Sequence, residues 1–433
     1  MRLQVPKLLT DVSGLLLLTV VASFYVFPVG FHGLPESLNS KQLLGVLGVV
    51  LFGLQSISER SFAVPRKIIV SFLLACVFSL WCYFCCVFNN TTDYAYATYV
   101  RSFFIWMGGA FAVVTIIRFV HGDVNLELVS RYFVLACLAQ CLFAILVDNN
   151  PGFMQFVDTH FYQDTTPKRV DRLYGIGCSL DSGGVRLCMA EVLIAHQLCR
   201  GKLAENRKGL QSFYIISLMI IAVVGNMIAR TTTLGLVMAL LYVLISYGWA
   251  HRGILTARQL RFWRVFLLLI GVTVGIGIYL YSTNPDLRKD FRFAFEAIFN
   301  IVEKGEFSTS SSDILMSRMW IWPRDDYAWF VGYGLFEWVH FAARGMQTDI
   351  GYCRFTLYCG LIGLALFSFY FIYNATIVRR KFSRSGLLAV ILIALTFFIW
   401  VKVSTDIFQL YALLFCLPDE LDGDDEDIPV SEE

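Results

Sequence analysis

The sequence predicts an all-α polytopic membrane protein, and three observations carry that expectation. Of 433 residues, 57% are hydrophobic, 15% aromatic and only 16% charged, whereas a soluble domain carries roughly a quarter charged residues. Apolar runs of about twenty residues, enough to cross the hydrocarbon core as a helix, recur along the whole length. Lys and Arg crowd some short connectors and avoid others, the asymmetry that orients membrane proteins. These features exclude a soluble enzyme core. No heptad, long internal repeat or nucleic-acid motif is visible.

About twelve transmembrane helices are expected. Residues 1–148 hold spans near 12–30, 42–57, 66–88, 99–119 and 128–147. The first apolar run lacks a small-residue cleavage site and is followed by more spans, so it is not expected to be a cleaved signal peptide. Residues 149–183 form a first outer loop. Residues 184–283 hold spans near 184–199, 212–229, 232–250 and 263–282, and residues 284–351 form a second, larger outer loop. Residues 352–417 hold spans near 353–376, 386–402 and 404–417, the last short enough to be re-entrant or tilted.

Orientation follows from the connectors. Arg60/Arg66/Lys67, Arg118/Arg131, Arg200/Lys202/Arg207/Lys208, Arg252/Arg258/Arg261/Arg264 and Arg379/Arg380/Lys381/Arg384 alternate with connectors at 31–40 and 89–98 that are nearly free of Lys and Arg. That alternation puts both termini in the cytoplasm and both long loops outside. The tail, residues 418–433, is a run of acid expected to be solvated. Its Asp422-Gly-Asp424 matches the D-x-D string that holds a metal in nucleotide-sugar transferases. With no α/β domain around it, it is read as tail, and no metal site is expected.

Twelve cysteines could suggest a disulfide framework. Ten fall in predicted spans, where a thiol behaves as a small hydrophobe. Cys82, Cys85 and Cys86 form a C-x-x-C-C string without nearby His or Asp, which argues against a metal. Cys178 and Cys353 lie in or beside the polar loops, where a bridge between them is conceivable.

Three places could carry chemistry. The first loop ends Arg172-Leu-Tyr-Gly-Ile-Gly-Cys-Ser-Leu-Asp-Ser-Gly183, with Arg186 in the first turn of the next span. A charge at that depth is unfavourable unless paired or facing a water-filled cavity. Glycines 175, 177, 183 and 184 would let the backbone approach a bulky ligand. The second place is the hairpin Ala229-Arg230-Thr231-Thr232-Thr233, where three hydroxyls beside a guanidinium suit a phosphate or sugar; an interfacial arginine that snorkels is the bland alternative. The third is the large loop. Arg318-Met-Trp-Ile-Trp-Pro-Arg324 mixes indoles, which are platforms for sugar rings, with guanidinium groups that contact phosphate through a planar fork. Gly332-Tyr333-Gly334, His340 and Thr348-Asp349 follow. Asp349 could act as a base, accept sugar hydroxyls or pair with Arg354. Solvated surface is the alternative for any one of these arginines, but the gathered set favours an anionic substrate.

These motifs, over roughly residues 100–376, resemble those of the Wzy-type bacterial polysaccharide polymerases and the related O-antigen ligases. The shared features are many spans, two outer loops in these positions, the Arg172…Gly183 spacing and the Ala-Arg-Thr-Thr hairpin. To these add Arg318 with Trp320 and Trp322, then Gly332-Tyr333-Gly334, then Gly360-Leu361-Ile362-Gly363. Two departures stand out. Thr348-Asp349 occupies the place of the ligases' His-Asn-type pair, as in the polymerases. Arg318 and Arg324 are followed eleven positions on by Trp329 and Leu335, so the arginine-ten-glycine spacing is not repeated.

The resemblance implies a GT-C-like helical arrangement and a metal-independent, cofactor-free glycosyltransferase of the bacterial cytoplasmic (inner) membrane. It would join sugar repeat units carried on undecaprenyl pyrophosphate, with membrane lipids and a chain-length regulator as candidate partners and no nucleic acid. Asp349, His340 and Arg318 would be catalytic. Arg172, Arg186, Arg230, Arg324 and Tyr333 would bind pyrophosphate and sugar. The competing readings are an O-antigen ligase and, from another class, a flippase for the same lipid-linked sugar. Flippases tend to show internal repeats and short loops on both sides.

Overall fold

The computed structural model describes residues 12–35, 38–61, 64–162, 172–199, 208–246, 257–306, 308–337, 345–382 and 385–419. Among them the chain is all-helical, without a strand; Phe31 and Phe161 form an isolated β-bridge. The first helices are α1 (Val12–Val26), α2 (Ser40–Ser58), α3 (Arg66–Phe88), α4 (Tyr99–His121), α5 (Leu126–Asn149) and the short α6 (Pro151–His160). Then come α7 (Leu180–Cys199), α8 (Lys208–Ile228), α9 (Thr232–Leu244) and α10 (Ala257–Thr283). The large loop folds into α11 (Pro285–Ala294), α12 (Glu296–Lys304), α13 (Ser310–Arg318) and α14 (Asp326–Val331). The chain then returns through α15 (Gly351–Lys381), α16 (Gly386–Lys402) and α17 (Phe408–Cys416).

Six of these, α2, α3, α4, α5, α8 and α15, are long and apolar enough to cross a membrane, which makes the chain a multi-pass membrane protein. Their outer faces carry exposed apolar residues such as Val46, Leu80 and Phe369, a surface suited to hydrocarbon rather than water. Local chemistry sets the helix ends. Asn39 and Gln42 form a capping box at the start of α2, with bonds of 3.2 and 3.0 Å, satisfying N–H groups that the helix leaves unpaired. Asn125 and Asn150 cap α5 and α6 in the same sense. Small residues bring helices close: a Cβ on Gly48 would fall 1.7 Å from Gly108 O, so α2 and α4 touch backbone to backbone.

Several expectations need correction. The first span stops at Val26 rather than 30. The predicted span 404–417 contains only the nine-residue α17, about 14 Å long and far short of a bilayer. It is buried along its length, and Lys381, the last residue of α15, reaches its Phe415 carbonyl at 2.9 Å. The described residues of the outer loop 284–351 include four short helices. Cys178 and Cys353 are both buried and unbridged.

One break in α15 shapes the rest. Gly360 sits at φ +67°, interrupting the helix, and frees carbonyls that would otherwise accept intrahelical bonds. Tyr333 N–H and Gly334 N–H donate to the Leu357 and Tyr358 carbonyls at 2.6 and 2.9 Å. Trp81 Nε1 donates to the Cys359 carbonyl at 2.8 Å. The two glycine motifs of the sequence therefore meet: Gly332-Tyr333-Gly334 is docked on the break made by Gly360.

Candidate active site

The described parts of the connections 31–39, 89–98, 161–179, 229–231, 284–350 and 403–407 share one end of the bundle. They are tied together by Thr91 on Gly334, Tyr99 on Asp406, Thr231 on Asp181 and Arg230 on Glu296. At this end lies a cavity of about 140 Å³ lined by Arg172, Arg230 and Lys402, by the carboxylates Asp181 and Asp349, and by Ser311, Ile314, Leu315 and Met319 of α13 and its end. The lining thus combines three cations and two carboxylates with three apolar side chains.

The arginines arrive from separate connections. Arg172 precedes Leu173 and Tyr174, which are buried, and Tyr174 OH donates to Asp158. Arg230 is held at the tight turn between α8 and α9. Both guanidinium groups lie against the ring of Phe293 in α11, at 4.8 and 4.2 Å. One aromatic ring thus stabilises two like charges. The Nε of each arginine is buried without a hydrogen-bond partner. Arg230 Nη1 donates to the Glu296 carboxylate and to Ser311 Oγ, the latter at 3.2 Å. Glu296 also accepts from Ser310 N–H at 2.9 Å, so it ties α12 and α13 to the arginine turn. Burial pulls the Arg230 guanidinium below its ordinary value; Glu296 opposes this and Arg172 adds to it.

Lys402, the last residue of α16, places its Nζ 3.8 Å from Asp181 Oδ1, and Asp181 also accepts from Thr231 Oγ1. Asp349 lies just before α15. Thr348 fixes that junction by donating from Oγ1 to the Met319 carbonyl at 2.6 Å. Burial and the Asp181 carboxylate push the Asp349 carboxyl above the usual range, against the pull of Arg354 and Lys402. Arg354 donates to the Phe336 carbonyl at 3.0 and 2.6 Å and to Ser404 Oγ at 3.2 Å.

The structure brings Arg172, Arg230 and Asp349 together and leaves the other named residues elsewhere. Arg186 lies 5.8 Å over the Phe27 ring, off the cavity. Arg318 is exposed at the end of α13; its spacing from Ser311, Ile314 and Leu315 puts it on their face, beyond the lining. Arg324 is exposed, and its backbone N–H bonds Tyr333 OH at 3.0 Å. Tyr333, expected to touch substrate, is 2% exposed, and its hydroxyl donates to Asp325 Oδ2 at 2.9 Å. It pins the loop. His340 lies outside the described residues.

The hairpin hydroxyls and the loop glycines are engaged within the protein. The threonine hydroxyls of the hairpin have protein partners: Thr231 on Asp181, Thr232 on the Gly225 carbonyl, Thr233 on Asn226. The glycines of 175–184 face protein rather than open space: a Cβ on Gly184 would sit 2.8 Å from Ala229 Cβ, and one on Gly177 2.9 Å from the Pro28 carbonyl.

Lys402, Asp181, Phe293 and Glu296 were missed. Lys402 had a signal, since it is the single charged residue of the apolar run 386–402 and closes it. Asp181 lay inside the quoted arginine-to-glycine stretch. Phe293 and Glu296 had none, because their roles depend on how α11 and α12 fold back. No protein family, curated protein or solved structure matches this chain.

Proposed function

We propose that the chain is a polysaccharide polymerase that joins undecaprenyl-pyrophosphate-linked oligosaccharide repeat units at the outer face of the bacterial inner membrane. The loops 149–183 and 284–351 then face outward and both termini face the cytoplasm. The observation that carries the reading is the cavity itself: Arg172, Arg230 and Lys402 converge on one space with Asp349, at the loop end of a membrane bundle. Three cations in a half-buried site suit the charge that develops on a departing pyrophosphate.

In this mechanism an acceptor sugar hydroxyl attacks the anomeric carbon of the donor. Its proton passes to the Asp349 carboxylate, while the bond from the anomeric carbon to the pyrophosphate oxygen breaks and the pyrophosphate leaves with the electron pair. Arg172, Arg230 and Lys402 take up its charge. Asp181 holds Lys402 and raises the basicity of Asp349. The apolar side chains of Ile314, Leu315 and Met319 in the lining suit the first carbons of the prenyl carrier.

The test is deletion of the gene in its native strain, with gel and mass analysis of surface glycans and lipid-linked sugars, followed by complementation with Arg172→Ala and Arg230→Ala. Single units on the normal acceptor without a ladder, uncorrected by either variant at normal protein level, are expected. Long lipid-linked polymer left untransferred would instead make it a ligase. Units trapped on the cytoplasmic leaflet would make it a flippase.

A further inference from the structure

The segment leaving the cavity carries a row of indoles that the mechanism above does not use. Met319 lines the cavity, and its carbonyl is fixed by Thr348. The next residues set Trp320 beside Trp322, ring centroids 5.9 Å apart, and Trp322 beside Trp329 at 5.7 Å and within 17° of parallel. Trp320 is 40% exposed, and Trp322 and Trp329 are half-buried.

The row is held rigidly. The backbone N–H groups of Arg324 and Asp325 donate to Tyr333 OH at 3.0 and 3.3 Å, and Tyr333 is itself hung on the broken helix at Gly360. Arg318 and Arg324 flank the indoles with exposed guanidinium groups, and Asp325 and Asp326 add exposed carboxylates. Flat electron-rich faces edged by both donors and acceptors match a pyranose ring, whose C–H face is weakly positive and whose rim is hydroxyl. The two carboxylates disfavour an anionic lipid surface.

We propose that Trp320, Trp322 and Trp329 form a glycan subsite that holds sugar rings beyond the pyrophosphate cavity. The proposal rests on the polymerase reading and deepens it: continuity through Met319 lets one chain place its reducing-end phosphate on Arg172 and Arg230 and its outer sugars on the indoles. A fixed platform of this kind retains the growing chain between additions.

The test uses the full chain in lipid nanodiscs and two probes: inorganic pyrophosphate, and oligosaccharides released by mild acid from the producing cell's surface polysaccharide, which lack phosphate. Calorimetry is expected to show both binding to the wild type. Trp320→Ala with Trp329→Ala should weaken the oligosaccharide by about tenfold or more while pyrophosphate binds as before. Trp320→Phe, which keeps a flat ring, should bind more tightly than Trp320→Leu, which keeps only apolar bulk. Equal behaviour of Phe and Leu, with indole fluorescence quenched by brominated acyl chains, would assign the row to the bilayer and overturn the subsite. Pyrophosphate binding without oligosaccharide binding would overturn the subsite and leave the cavity standing. Binding of neither would remove both.

Discussion

The cation cavity and the Gly332-Tyr333-Gly334 segment invite comparison, because both stand out in the sequence for the same residue types and the structure uses them in opposite ways. Around Tyr333 the polar groups are engaged by protein: its hydroxyl by Asp325 and two backbone N–H groups, its own N–H by Leu357, the Gly334 carbonyl by Thr91. In the cavity, two guanidinium Nε groups are buried without partners and two like charges share one ring. Such an arrangement is unfavourable in isolation and is relieved by an anion. The difference teaches that residue type marks a region as unusual, while unpaired donors converging with other cations on one cavity set this site apart from scaffolding.

The comparison is tested most severely at Asp349. Asp349→Asn should lower turnover by about 10²- to 10⁴-fold, the span of general-base catalysis, with pyrophosphate affinity retained. A base works deprotonated, and burial with Asp181 raises this carboxyl. Turnover of the wild type should therefore climb with pH through a value above the ordinary carboxylate range. Asp181→Asn should move that rise to lower pH, because it removes the neighbouring negative charge. A pH profile unmoved by either substitution would place the base elsewhere, with His340 the next to test.

Next come the arginines. Arg172→Ala and Arg230→Ala should each lower kcat/KM by about 10²- to 10³-fold. Arg318→Ala and Arg324→Ala, whose side chains are exposed, should leave pyrophosphate affinity within about threefold. Calorimetry on purified protein separates the two pairs. Equal losses from all four would erase the distinction between the cavity and the loop.

How far these differences were legible in advance depends on the range of the interaction. The long apolar runs announced the spans, and α3, α5 and α16 begin or end within a few residues of where hydropathy puts them. Arg172, Arg230 and Asp349 were legible as charged or polar breaks at the mouths of spans. What could not be read was convergence. Lys402 meets Asp181 across more than two hundred residues of chain, and Phe293 meets both arginines only because α11 folds back. Gly360 was visible as part of a glycine string, but its positive φ and the carbonyls it frees belong to tertiary packing. The shortness of the last span was legible, and the burial of α17 gives the reason: packed among other helices, it need not match the bilayer's thickness.

On the scaffolding side the expected effects are on stability. Gly332 has φ +74°, and a Cβ there would lie 2.4 Å from the Tyr358 carbonyl. Gly332→Ala should destabilise the protein by about 1–3 kcal/mol, and Tyr333→Phe, which removes the bond to Asp325, by about 1 kcal/mol. Thermal unfolding in detergent reads both. Activity per folded molecule should stay near that of the wild type for Tyr333→Phe. Full stability with lost activity would return Tyr333 to the substrate side and break the comparison.

The smallest effect is expected at Glu296, the carboxylate that holds Arg230 beside the cavity. Its carboxylate already accepts from Arg230 and from Ser310, so it occupies donors that an incoming phosphate would use. Glu296→Gln keeps an acceptor for Ser310 but removes the competing charge. Pyrophosphate affinity should rise about two- to fivefold, the scale of a partly exposed ion pair, and the gain should shrink as salt is added. A tighter site in the variant would mean that Glu296 competes with substrate for Arg230, and that α12 and α13 are released when the cavity fills. A weaker site would mean the opposite: the carboxylate aims the guanidinium, and the cavity is already arranged for its anion before binding.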